Sequence, residues 1–198
     1  MVAVLAVAGL AGCKTNVGTA ATVDGHRITE SDVNNYVTPT GSQNGGQTVP
    51  PRTLVLEFLV QQRIFEQTLR YLAKDHKLPS EGVLASYHDA AASVLFQTSL
   101  TGKGLDAAIA KGLPKSGVRA SFAATYLRAT ELEYAIIKSQ KLNQLSDLVA
   151  LVKKAGVDVS VAARYGTWHE ESLSIDGKPP TPGYLSVAPS QQALPGTK

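Results

Sequence analysis

The sequence predicts a mostly helical α+β domain in which a small three-stranded sheet joins the N- and C-terminal segments. Three observations lead there. Ala20–Val37 holds two short β-prone runs, Ala21-Thr22-Val23 and His26-Arg27-Ile28, separated by Asp24-Gly25. Asp-Gly accepts the positive φ values of a type I′ hairpin turn. A hairpin alone is marginal, and the other clean strand pattern is far away at Val157–Ala162, where Val157, Val159 and Val161 alternate with Asp158 and Ser160. Between the two lie several stretches with helical periodicity.

The elements follow in order. Thr29 stands at an N-cap position with Asp32 three residues on as the capping-box partner, and Glu30 and Asp32 put negative charge at the positive end of a first helix. Thr38–Pro51 is a Gly-, Gln- and Pro-rich loop, and Pro51 suits the first position of the next helix. Arg52–Lys77 is the longest helical stretch. Leu54, Phe58, Phe65 and Leu72 repeat along one face, Val55, Leu59 and Leu69 broaden it, and Leu56, Val60 and Ile64 nearly close the circle. A helix that is apolar nearly all round in its first half is either central to a core or lines a groove, and the second half is amphipathic. Its Arg63, Arg70, Lys74 and Lys77 form a basic stripe, expected as a solvated face, with Glu66–Arg70 spaced as an ion pair. Ser80 caps a third helix to Ser99. A Gly-containing break at Leu100–Gly104 precedes a short helix, Leu105–Gly112. Ser116 is expected to cap a long helix to about Gln140, with Val118, Phe122, Tyr126, Ala129, Leu132 or Glu133, and Ile136 inward. The last helix, Ser146–Ala155, stops at Gly156.

The ends carry different signals. Residues 1–12 form an apolar run in the manner of a secretion signal, and Leu10-Ala11-Gly12-Cys13 resembles the lipobox of bacterial lipoproteins. That resemblance implies a lipid on Cys13, an anchor linker over 13–19 and an extracytoplasmic, membrane-attached location in a bacterial envelope. One departure from the pattern is that no Lys or Arg precedes Cys13, where a secretion signal carries positive charge. Residues 169–198, with Pro179, Pro180, Pro182, Pro189 and Pro195 among Gly, Ser and Gln, are expected to be a disordered tail. The folded domain is therefore placed at 20–168.

Composition excludes several classes. The 198 residues carry a net charge of +3 without a compact basic block, which argues against a nucleic-acid partner. One cysteine allows no internal disulfide. The four histidines are scattered, and His169-Glu170-Glu171 lacks the second histidine of a zinc helix. Gly102-Lys103-Gly104 lacks the rest of a phosphate loop, and Gly41-Ser42-Gln43-Asn44-Gly45 lies in a polar linker rather than on a nucleophile elbow. No catalytic set, metal site or cofactor is expected.

Thr22-Val23-Asp24-Gly25 with Ile28-Thr29-Glu30 resembles the opening of the SurA N-terminal domain family, the extracytoplasmic chaperones and foldases of the SurA and PrsA type. Leu105–Ser116 is similar to that family's short helix and turn. Arg164-Tyr165-Gly166-Thr167-Trp168 is similar to the ending of its returning strand. The resemblance spans about Ala20–Trp168 and implies a multi-helix chaperone domain that binds unfolded or partly folded exported clients. The family often inserts a parvulin-type prolyl isomerase domain before the last helix. Gln140 to Ser146 leaves no room for one, so an enzyme is not expected. An apolar client groove is expected at Leu54, Leu56, Val60 and Ile64, with the membrane as second partner through Cys13. The alternative is a structural lipoprotein of the same fold that docks one folded envelope partner.

Overall fold

Asp24 and Gly25 reverse the chain with φ of +48° and +76°, as a type I′ turn requires. In the computed structural model, which describes residues 18–38, 50–73, 77–91 and 101–176, this turn joins β1 (Thr19–Val23) to β2 (His26–Thr29). They pair antiparallel with Val23 opposite His26, and the register shifts between Thr19 and Ala21. The other edge of β1 takes β3 (Val159–Val161), also antiparallel, with Val23 opposite Val159 and Ala21 opposite Val161. The sheet order is β2-β1-β3, so the two ends of the domain share one sheet. The Asp24 N–H donates to the Asp158 carbonyl at 2.9 Å, and the Asp158 N–H donates to Asp24 Oδ1 at 2.8 Å.

Helix α1 (Glu30–Asn34) begins with a complete capping box. The Asp32 N–H donates to Thr29 Oγ1 at 3.1 Å, and the Thr29 N–H donates to Asp32 Oδ2 at 2.7 Å. Helix α2 (Pro51–Leu72) starts on Pro51 and ends where Ala73 turns extended, earlier than Lys77. Its long interface is with α5 (Ala123–Gln140), and it also packs on α6 (Leu145–Ala155), β1 and the C-terminal residues. Phe58 lies against Tyr126 at 4.3 Å and Phe122 at 6.4 Å between ring centroids. Helix α3 (Glu81–Ser86) carries the Ser80 cap, and α4 (Gly102–Gly112) begins three residues before Leu105. Gly156, at φ +70°, closes α6 as expected.

Two expectations are corrected. Ser116 does not cap the long helix. It closes a 3₁₀ turn, Leu113–Ser116, and Gly117 at φ +71° then sends Val118 into a bridge with Val37. The N–H of Thr38 donates to the Gly117 carbonyl at 3.1 Å, which draws this segment straight, and α5 starts only at Ala123. The inward stripe survives: Phe122, Tyr126, Ala129, Leu132 and Ile136 are all buried. The second correction concerns the tail. Trp168–His169 (β4) and Ser174–Ile175 (β5) form an antiparallel hairpin whose Leu173 and Ile175 enter the core. The folded domain therefore runs through Asp176. The Gly/Pro-rich average of this region hides one aliphatic pair spaced to bury together. Residues 1–17, with the apolar run and Cys13, lie outside the described residues, as do 39–49, 74–76, 92–100 and 177–198. Among the described residues no helix is long and apolar enough to cross a membrane.

Candidate functional site

The four residues expected to wall a client groove are core residues. Leu54 is 3% exposed, and Leu56, Val60 and Ile64 are 0% exposed. The groove assignment is replaced by the other option that an all-round apolar helix offers. The sheet, α5, α6 and the C-terminal hairpin pack around α2 and bury Leu54, Leu56, Val60 and Ile64, leaving a narrow exposed strip with Arg52, Arg63, Arg70 and Tyr71. Phe58, expected at the centre, is only half-buried. Among the described residues the exposed large hydrophobic side chains are Tyr71 and Val83, on α2 and α3.

Three polar assemblies surround this core. The first joins both ends of the chain at Glu30. Arg164 donates to Glu30 Oε1 through Nε at 2.6 Å and also through Nη2. Tyr165 Oη donates to Oε2 at 2.7 Å, and Arg52 Nη2 donates to the same oxygen at 2.5 Å. Arg164 Nη2 also reaches the Thr19 carbonyl at 2.6 Å. Both guanidinium groups lie over the Tyr165 ring, 5.8 Å and 5.5 Å from its centroid. Burial pushes the Glu30 carboxyl up, but the hydrogen bonds from Tyr165 and Arg164 and the charges of Arg164 and Arg52 outweigh it and hold the group below its ordinary value. With both oxygens engaged, Glu30 ties β1, α1, α2 and the Arg164-Tyr165 turn together.

The second assembly docks the C-terminal hairpin on α2. Glu57 is 0% exposed, and its Oε2 accepts from the Ile175 N–H at 3.0 Å. Gln61 Nε2 donates to the Leu173 carbonyl at 2.8 Å and lies 3.4 Å from Glu57 Oε1. The hairpin base is tight. Asp176 Oδ1 accepts from the Thr167 N–H at 2.9 Å, and the Asp176 N–H donates to the Thr167 carbonyl at 2.8 Å. Gly166, at φ +113°, sits against that carboxylate, where an added Cβ would be 2.3 Å from Asp176 Oδ2. Burial pushes the Glu57 carboxyl up to about 8; the Ile175 N–H pulls it back somewhat, and the Asp176 charge raises it further.

The third assembly links α3, α4 and α5. His88 Nδ1 lies 3.1 Å from Glu131 Oε1. His88 Nε2 lies 3.0 Å from Asp106 Oδ1 without forming a hydrogen bond. Arg128 reaches Glu81 at 2.7 Å and Glu131 at 3.7 Å. Among the described residues no group of three or more His, Cys, Asp and Glu is arranged to hold a metal ion. Sequence reasoning missed all three assemblies because each joins residues far apart in the chain. The one local signal was Glu57, a lone acid inside the apolar run Leu54–Val60. Compared with known proteins, the chain matches no family model, no curated protein and no solved structure.

Proposed function

We propose that the protein is a lipid-anchored extracytoplasmic binding protein that engages unfolded or partly folded exported proteins, without catalysis. The observation that supports this reading is the convergence at Glu30. The Asp24-Gly25 turn, the Thr29-Glu30 cap and Arg164-Tyr165-Gly166, which carry the resemblance to the SurA-type domains, are scattered in sequence yet close one clasp. Cys13 supplies the anchor. Purified residues 14–198 should slow aggregation of an unrelated denatured protein at near-stoichiometric ratio and without nucleotide; unhindered aggregation of several such substrates removes this reading.

A second reading, a module that docks one folded envelope partner, is favoured by the scarcity of exposed apolar surface, Tyr71 and Val83, among the described residues. Crosslinking in the native envelope separates the two: many captured chains support the first, one stoichiometric partner the second.

A further inference from the structure

Strand β5 is hydrogen-bonded on both edges, but only one edge meets a strand. On that edge His169 lies opposite Ser174 and Trp168 opposite Ile175. On the other, the Leu173 carbonyl accepts from Gln61 and the Ile175 N–H donates to Glu57. In an extended chain the carbonyl before a residue and the N–H after it point to the same side. Glu57 and Gln61, four residues apart on α2, therefore read the main chain around Ser174 as a neighbouring strand would. The side chains of Leu173 and Ile175 are buried on either side of that contact, and Ser174 is buried between them. Main-chain bonds and apolar burial make this recognition independent of any particular side-chain code.

The occupant fits at a cost. Leu173 holds φ of +49°, a region that a bulky side chain adopts only at a cost, and Asp176 follows at +62°. Asp176 also sets a negative charge near Glu57. On the other elements packed against α2, Glu30 pairs with Arg52 and Arg164, Glu131 with His88 and Arg128, and Lys153 with Glu170, while burial raises the Glu133 carboxyl on α5 to about 7.

We propose that Glu57, Gln61 and the adjoining apolar wall of α2 form a binding site for an extended apolar peptide segment, held in cis by Leu173–Ile175, and that such a segment of an exported protein displaces the β4–β5 hairpin. The identity of the ligand as an exported protein rests on the function proposed above; the site itself does not. The probe is a dye-labelled peptide, capped at both ends, that reproduces residues 168–176. The Ile175→Ala variant, whose own hairpin is weakened, should bind it about tenfold more tightly than the unmodified protein, and adding Gln61→Ala should reverse about as much. In the unmodified protein, excess peptide should speed exchange of the Ile175 amide by about tenfold. If Ile175→Ala does not fold, that exchange measurement decides alone. Absence of binding, with Ile175 exchange unchanged by excess peptide, overturns the proposal. Peptide displacement with no protection of denatured substrates keeps this site and removes the chaperone reading. Protection without peptide displacement does the reverse.

Discussion

Glu57 gives the stability of this fold an unusual pH profile at the scale of a single residue. Its carboxyl titrates near 8 in the folded protein and near 4.5 when unfolded, so the native state holds the proton more tightly. The stabilisation is fully present below about 4.5 and is lost as pH rises through about 8. Urea unfolding at about pH 5, 7 and 9 should therefore show a midpoint falling with pH, and Glu57→Gln, which keeps an acceptor for the Ile175 N–H, should remove part of that fall, the rest following Glu133, which burial raises to about 7. Leu56 and Gly166 make companion tests. Leu56→Ser removes a fully buried side chain and buries a hydroxyl, an expected loss of about 3–5 kcal/mol by denaturant unfolding. Gly166→Ala forces a Cβ onto the Asp176 carboxylate at positive φ and should cost about 1–3 kcal/mol in the same assay. Periodicity identified Leu56 as apolar but could not say what covers it. A residue in a helical stretch that is apolar nearly all round has no polar side to orient it.

Among the elements, the ones legible in sequence are those whose signal is local. The Asp24-Gly25 turn, the Thr29 and Ser80 caps, the Gly156 stop and the alternation at Val159–Val161 each occupy a few residues and depend on backbone geometry. Pairing β1 with β3 was legible as well, because an Asp-Gly hairpin needs a third strand and few segments qualify. The start of α5 was not. The Val37–Val118 bridge that straightens residues 117–119 is a contact across about eighty residues, and Ser116 imitates a cap that the fold does not use. Thr29→Ala breaks a real capping box and should cost about 1 kcal/mol in urea unfolding. Truncation after Gly156 removes β3 and two of the three side-chain partners of Glu30, Arg164 and Tyr165, and should abolish the cooperative transition. Truncation after Asp176 should leave it intact. Amide exchange that finds Val159–Val161 unprotected while the helices stay protected would count against the clasp.

For the molecule as a whole, fold class was within reach of sequence, but the candidate site was not. Glu57, Gln61 and β5 meet only through tertiary packing across more than a hundred residues. Cys13→Ala, expressed from the natural start, should move the protein from the membrane fraction to the soluble or unprocessed fraction; a variant that still sediments with membranes argues against the anchor. The sheet order has a further consequence for how the chain is made. β1 is the middle strand, yet it is synthesised before either neighbour. β2 follows at once, but Asp158, which closes the other edge, lies 134 residues beyond Asp24. At a synthesis rate of ~5–20 residues per second, that edge stays open for roughly 7 to 27 seconds. An open strand edge is a template for pairing with another chain. A nascent copy of this protein therefore meets the aggregation hazard that its proposed clients meet, and a fragment that stops before Val159 never leaves it.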